Sequence, residues 1–305
     1  MRIATIDLGT NTCLLLIIEI NNLKSYKILR EDILYPRIGK SVDDKKHIQT
    51  DAFHKTIESF NYYKSIIANY NVDKIIATGT SALRDAVNRN DFIQSVRIET
   101  GIEIKILSGE EEARLTFIGT INDFTNHDSN YTVIDIGGGS TEIIFGDNQN
   151  IIYSKSFDIG SVRMSERFLK HTPPLKSELS NLSNFISTNL KDVSPNIFRG
   201  SELIGVAGTA TTLLSIHLNT HNFSSEYLNM KTISFSVLNN IFLKLASLNE
   251  TEITNIPQIS EGRRDIIVAG NAILLDFMEY FGWKNIKVST RGLRFGVSFN
   301  EFENS

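Results

Sequence analysis

The segment DLGTNT at Asp7–Thr12 is followed much later by a second version, DIGGGST, at Asp135–Thr141. Each turn leaves one apolar run and enters another. Ile3–Ile6 and Cys13–Ile20 flank the first, and Tyr131–Ile134 and Glu142–Phe145 flank the second. A short apolar run bounded by turn residues predicts a buried strand, so each copy predicts two strands joined tightly. A chain of 305 residues is long for one small domain, and two related halves suit that length.

The rest of the chain alternates. Phe53, Ile57, Phe60, Ile67 and Tyr70 recur at near-helical spacing, which predicts an amphipathic helix. Strands are predicted at Val72–Ala77 and Glu103–Leu107, a short helix from Ala82, and a further helix from about Gly109. After the second turn a hairpin is expected around Gly146–Asn150. Helices are then expected at Val162–Lys170, Leu175–Leu190, Thr209–His217, Val237–Leu248 and Arg264–Phe281. Leu203–Val206 and Ile286–Ser289 read as strands. This alternation predicts an α/β fold with helices covering a buried sheet. The polar, turn-rich run INDFTNHDSN places a boundary between Ile118 and Asn130.

Several classes of protein are disfavoured. Net charge is −4 with no basic tail, unlike a protein that neutralises a nucleic-acid backbone. Cys13 is the single cysteine, so no intrachain disulfide forms and a reducing, cytoplasmic setting is expected. The apolar run after Cys13 is too short to cross a membrane, and no secretory signal pattern follows Arg2. His217 and His221 are four apart but have no companion cysteines or carboxylates in a zinc pattern.

Glycine lets a backbone approach a ligand closely, and successive amides in such turns form anion-binding nests. Gly9 provides this in the first turn, beside Thr10, Asn11 and Thr12. Gly137, Gly138 and Gly139 provide it in the second, beside Ser140 and Thr141. The hydroxyls of Thr10, Thr12, Ser140 and Thr141 could add donors. Asp7 and Asp135 sit at the strand ends, where carboxylates alone would repel phosphate. A magnesium ion reconciles the two, since it takes oxygen ligands and substrate phosphates together. Glu142, seven residues beyond Asp135, can return to the same place along the next strand. The plainer alternative is two hairpins with acidic turn residues. A third glycine segment, GVAGTATTL at Gly205–Leu213, leaves a strand and enters a helix. There Gly208 and Thr209 can offer amides at a positively polarised helix terminus, or they can form a close-packed connection.

Ser108-Gly109-Glu110-Glu111 fits the pattern of a capping box. On the residues alone, Glu111 is better explained as a cap than as a catalytic group.

Taken together, TSALRDA at Thr80–Ala86, SGEEEARLTF at Ser108–Phe117 and DIGGGSTEI at Asp135–Ile143 resemble the exopolyphosphatase/guanosine pentaphosphate phosphatase (Ppx/GppA) family. VAGTATTL at Val206–Leu213 and STRGLRFGV at Ser289–Val297 extend the resemblance over nearly the whole chain. That family lies within the sugar kinase/Hsp70/actin superfamily. The resemblance implies an α/β, two-lobed actin-like ATPase (ribonuclease H-like) fold with an interlobe active-site cleft. It implies a first lobe over 1–122, joined by 292–305, and a second over 123–291.

The implied activity is hydrolysis of terminal phosphoanhydride bonds of inorganic polyphosphate. Guanosine pentaphosphate is the alternative substrate. A small-molecule kinase or a non-enzymatic phosphate sensor is a more distant reading, and a homodimer that extends a substrate groove is compatible with the sequence. The resemblance assigns Glu111 as the catalytic carboxylate, with Glu110 as the substitute if the register differs. It assigns Arg84 to phosphate, the two glycine turns with Gly208 and Thr209 to phosphate binding, and Asp7, Asp135 and Glu142 to magnesium. Arg264 and Arg294 gain weight from lying beside matched motifs, whereas Arg163 and Arg167 read as a solvated helix face. Thr290 and Phe295 depart from the family pattern, which often carries acidic residues there.

Overall fold

The computed structural model describes residues 1–124, 129–148, 150–220 and 224–305. The chain divides into two compact units, one of Met1–Thr125 with Arg291–Ser305 and one of Asn126–Thr290. The boundary segment expected at 118–130, the hairpin at 146–150 and His221 of the histidine pair include or are residues outside the described set.

The first unit is built on five strands: β1 (Arg2–Leu8), β2 (Cys13–Asn22), β3 (Ser25–Leu34), β4 (Lys74–Gly79) and β5 (Ile104–Ile106). Their order is β3-β2-β1-β4-β5. The β1–β2 and β2–β3 pairs are antiparallel, whereas β4 runs parallel to both β1 and β5. Side chains alternate across the pleat, so each strand feeds two cores. Ala4, Ile6 and Leu8 meet Phe60, Tyr63 and Phe92 on one face. Ile3 with Leu16 and Ile18 meets Phe295 and Phe299 on the other. The helices Thr50–Ile67 and Arg89–Thr100 supply the first cover. The C-terminal helix Leu293–Glu303 supplies the second and joins the helix Gly109–Ile121 through Leu115, Leu293 and Val297.

The second unit repeats the plan. Its strands are β6 (Tyr131–Ile136), β7 (Thr141–Gly146), β8 (Ile151–Phe157), β9 (Glu202–Val206), β10 (Lys231–Ser234) and β11 (Asn285–Val288). The order β10-β11-β9-β6-β7-β8 is the first sheet's order, read from the other edge, with one added antiparallel edge strand. Again the first two pairs of the meander are antiparallel, and β9 and β11 run parallel to β6. The helices Lys176–Leu190, Ala207–His217, Phe235–Leu245 and Ile267–Phe281 bury Leu182, Leu213, Leu238, Ile273 and Phe277 in one core.

Two strands and several helices, the longest of them Arg89–Thr100, escape sequence reading. β3 carries Lys27, Arg30, Glu31 and Asp32 among its apolar residues and lies at a sheet edge, where half-exposure weakens the apolar signal. β10 is only four residues long and is also an edge. The helix Arg89–Thr100 buries only Phe92, Val96 and Thr100. The expected helix from Arg264 begins at Ile267, after a short 3-10 turn at Glu261–Arg263. Among the described residues, no helix is long and apolar enough to cross a membrane.

Candidate active site

Each acidic glycine turn is the loop of the first hairpin of its sheet. Leu8 pairs with Cys13 across the first loop, and Ile136 pairs with Thr141 across the second. Both loops close in the same way. The Gly9 amide donates to the Thr12 carbonyl at 2.8 Å, and the Gly137 amide donates to the Ser140 carbonyl at 3.0 Å.

The segment after the third strand braces each loop from behind. In the first unit the Gly39 amide donates to the Thr10 carbonyl at 2.8 Å, and the Arg37 amide donates to the Asn11 carbonyl at 3.3 Å. In the second, the Ser161 and Val162 amides donate to the Gly137 and Gly138 carbonyls, each at 2.9 Å. Arg163 Nε donates to the Gly139 carbonyl at 2.7 Å. Within a planar trans peptide the carbonyl and the following N–H point in opposite directions. The braces therefore turn the amides of Asn11 and Thr12, and of Gly138, Gly139 and Ser140, away from themselves. Amides arranged in this way can cradle an anion. The second brace needs its own glycine, because a Cβ on Gly160 would collide with the backbone of Gly138 and Gly139.

Not every expected donor reaches its cradle. The Thr141 hydroxyl instead donates to the Ile159 carbonyl at 2.5 Å, inside the core. In the third segment Ala207 sits at φ 61°, a left-handed conformation that opens the helix Ala207–His217. A non-glycine residue is held there at a penalty of about 1–2 kcal/mol. The Thr211 hydroxyl turns back to the Ala207 carbonyl at 3.0 Å, and the Thr209 side chain is buried. A Cβ on Gly208 would overlap the guanidinium of Arg263, so Arg263 is the arginine laid against this helix start. Sequence reading had favoured its neighbour Arg264.

The two aspartates face different partners. Asp7 is directly opposite Leu14, whereas Asp135 is directly opposite Glu142. Opposed residues of an antiparallel pair project from the same face, and like charges there destabilise each other. Glu142 is 1% exposed and accepts from Ser156 Oγ at 2.6 Å. Asp7 Oδ1 is buried with no hydrogen-bond partner. Burial pushes its carboxyl up to about 6, against the pull of the Arg294 guanidinium. A cation suits both places, by meeting the orphaned oxygen of Asp7 and by relieving the Asp135–Glu142 juxtaposition, and all three donors are the hard oxygens that magnesium takes. Among the described residues, no group of three or more His, Cys, Asp or Glu side chains gathers as a metal cluster.

At the start of the helix Gly109–Ile121, two adjacent glutamates separate. Glu111 completes a capping box. Its amide donates to Ser108 Oγ at 3.1 Å, and its Oε2 accepts from the Ser108 amide at 3.0 Å. Lys105 Nζ lies 2.9 Å from its other oxygen. The Ser108 amide, followed by Lys105, holds the Glu111 carboxyl below its usual range. The capping alternative is thus the one that the fold realises. Glu112 points about 100° further round the helix and is 8% exposed. Its Oε2 lies 2.5 Å from Arg84 Nη1, which also donates to the Leu107 carbonyl at 3.1 Å. Arg84, expected at phosphate, therefore meets Glu112 and not Glu111. Arg294 donates to the Leu15 carbonyl of β2 at 2.8 Å and pairs with Glu31 of β3.

Arg163 overturns its reading as part of a solvated face, since it is 6% exposed and bound to the second turn. Arg167 of the same helix lies over the Phe185 ring. The available sequence signal was the DIGSVR run at Asp158–Arg163, which brings a glycine and an arginine soon after a strand.

The sequence model of the Ppx/GppA phosphatase family matches residues 16–305. A bifunctional 3-dehydroquinate synthase/phosphatase of Fusobacterium nucleatum is 34% identical over 99% of this chain. The chain spans 46% of that relative's length. Exopolyphosphatase 2 of Mycobacterium tuberculosis is 26% identical, with 98% of each chain covered. The solved structure of an exopolyphosphatase from Cytophaga hutchinsonii superposes with a TM-score of 0.93 at 28% identity, covering 100% of this chain and 98% of the other. The expected α/β, two-lobed actin-like fold is therefore the fold of this chain.

Proposed function

Because the chain belongs to the Ppx/GppA phosphatase family, we propose that it removes terminal phosphates from inorganic polyphosphate by hydrolysis, releasing orthophosphate. The observation that carries this reading is the pair of braced turns, each aiming backbone amides outward beside a strand-end aspartate. Relatives named as exopolyphosphatases, matched over nearly their full length, support polyphosphate as the substrate.

The division of labour follows from the residues. The amides of Asn11, Thr12 and Gly138–Ser140 hold phosphate oxygens. Glu112, the residue after the capping glutamate and paired with Arg84, orients a water molecule and takes its proton as the water oxygen bonds to the terminal phosphorus. The bridging P–O bond breaks, and its electron pair stays on the departing chain's oxygen. Arg84 offsets the charge on the transferring group while keeping Glu112 in place. Asp135 and Glu142 would hold magnesium in the second unit, and the ion would neutralise phosphate charge; Asp7 offers a hard oxygen at the first unit's own turn. Glu112 thereby takes the role that family resemblance had given to Glu111. No cysteine nucleophile enters, since Cys13 is fully buried and burial raises its thiol further.

Phosphate release measured in parallel on long-chain polyphosphate and guanosine pentaphosphate, with magnesium and with a chelator, tests the reading. Magnesium-dependent release from polyphosphate is expected. Selective attack on the nucleotide would move the activity to a guanosine pentaphosphate phosphohydrolase, and release from neither would sink it.

A further inference from the structure

Three consecutive glycines have no side chains with which to fix their own peptide planes, and they lose more conformational freedom on ordering than any other residues. The first turn has Thr10 and Asn11, only 7% and 6% exposed, to anchor it. The second turn must be oriented from outside. Main-chain amides of Ser161 and Val162 reach the first two glycine carbonyls, but the Gly139 carbonyl is reached by a side chain, Nε of Arg163. The same residue's own amide donates to the Gly138 carbonyl at 3.1 Å. Its guanidinium is buried, with Nη2 lying 3.8 Å from Asp158, whose side chain is 84% exposed.

A buried guanidinium is expensive to keep and stays charged at all ordinary pH. Behind an anion cradle a charge has a use, because it adds positive potential to amides already pointing at the ligand.

We infer that Arg163 is a positioning residue for the second phosphate turn, setting the Gly139–Ser140 peptide so that its amide faces the phosphate and backing that amide with a buried positive charge. The inference rests on the reading of this turn as a phosphate cradle. The ligand class is a phosphoryl oxygen. Arg163 acts on it through the peptide, without touching it.

The test uses full-length protein free of phosphate. Amide hydrogen exchange is followed at Gly137, Ser161 and Val162, whose bonds close or brace the turn, and at Ile273 and Leu274 in a core helix. In Arg163→Met the three turn amides should exchange about tenfold faster, the scale of losing one charge-assisted hydrogen bond. The core helix should stay within about twofold of wild type by the same local-opening logic. Arg163→Lys, which keeps the charge and one donor, should fall between. On polyphosphate, kcat should follow the same order. Unchanged exchange at the turn would overturn the inference. So would a uniform rise across the unit, which would make Arg163 a residue of general stability. Exchange is read without substrate, so it decides this point even if the wild type releases no phosphate, a result that would count against the hydrolase reading alone.

Discussion

The two turns share one backbone and differ in what surrounds it. Each is a loop closed by a glycine amide, entered from a strand with aspartate as its penultimate residue, and braced from the segment after the third strand. In the first unit the loop is pinned by its own buried side chains, and Asp7 faces Leu14. In the second the loop is three glycines and a serine, held by a buried arginine, and Asp135 faces Glu142. Duplication supplied the hairpin twice, and the second position of the next strand decided which copy gained an acid pair. The first unit contributes instead the Glu112–Arg84 pair, on elements that follow its parallel strands. The comparison teaches that similar glycine hairpins need not be surrounded by equal chemistry.

The heaviest break falls in the first unit. Glu112→Gln is expected to lower kcat by about 10²–10⁴, the usual span for a general base, while inorganic triphosphate still binds when followed by calorimetry. A folded variant with full turnover would remove Glu112 from the chemistry. Next comes Glu142→Leu, which gives the second turn the partner that the first one has. Magnesium affinity, read from the activation curve, should fall about 10–100-fold. An unaltered curve would show that the acid pair has no part in holding the ion.

A smaller effect separates the aspartates by pH. The Asp7 carboxyl is raised from 3.8 to about 6 by burial, so the folded protein holds that proton more tightly than the unfolded chain. Its contribution to stability is most favourable below 3.8, declines as pH rises between 3.8 and about 6, and is fully lost above that. Asp7→Asn should therefore raise Tm at pH 7 by about 2–4 °C in magnesium-free buffer and shallow the decline across that window. Asp276, raised to about 6 by burial between helices, contributes in the same direction, so part of the slope should remain. A steeper slope in the variant would contradict the desolvated state of Asp7. The smallest effect belongs to Glu111→Ala, which loses the reciprocal half of the capping box, worth about 1 kcal/mol. Tm should drop by a few degrees, with kcat nearly unchanged. A large loss of kcat without a change in Tm would return the catalytic role to Glu111.

Much of this arrangement is readable along the chain because it is local. Strand–turn–strand patterns, the capping box at Ser108 and the helix start after Val206 each depend on residues within a few positions of one another. The cap also shows where local reading competes with resemblance. The pattern S-x-x-E described the geometry of Glu111 correctly, while the Arg84 contact falls on the next residue, Glu112. Helical geometry resolves this, since neighbouring residues on a helix point about 100° apart.

The sequence by itself determined the duplication, the α/β alternation, the two acidic glycine turns and the family. These follow from hydrophobic period and from the backbone freedom of glycine, both of which are properties of short segments. Only the tertiary structure decided that Arg163 is buried against Gly139 and that Arg84 meets Glu112. Those are contacts of register and packing between segments that lie apart in the chain. Their energies depend on which groups lose water together, and that is set when the sheets assemble.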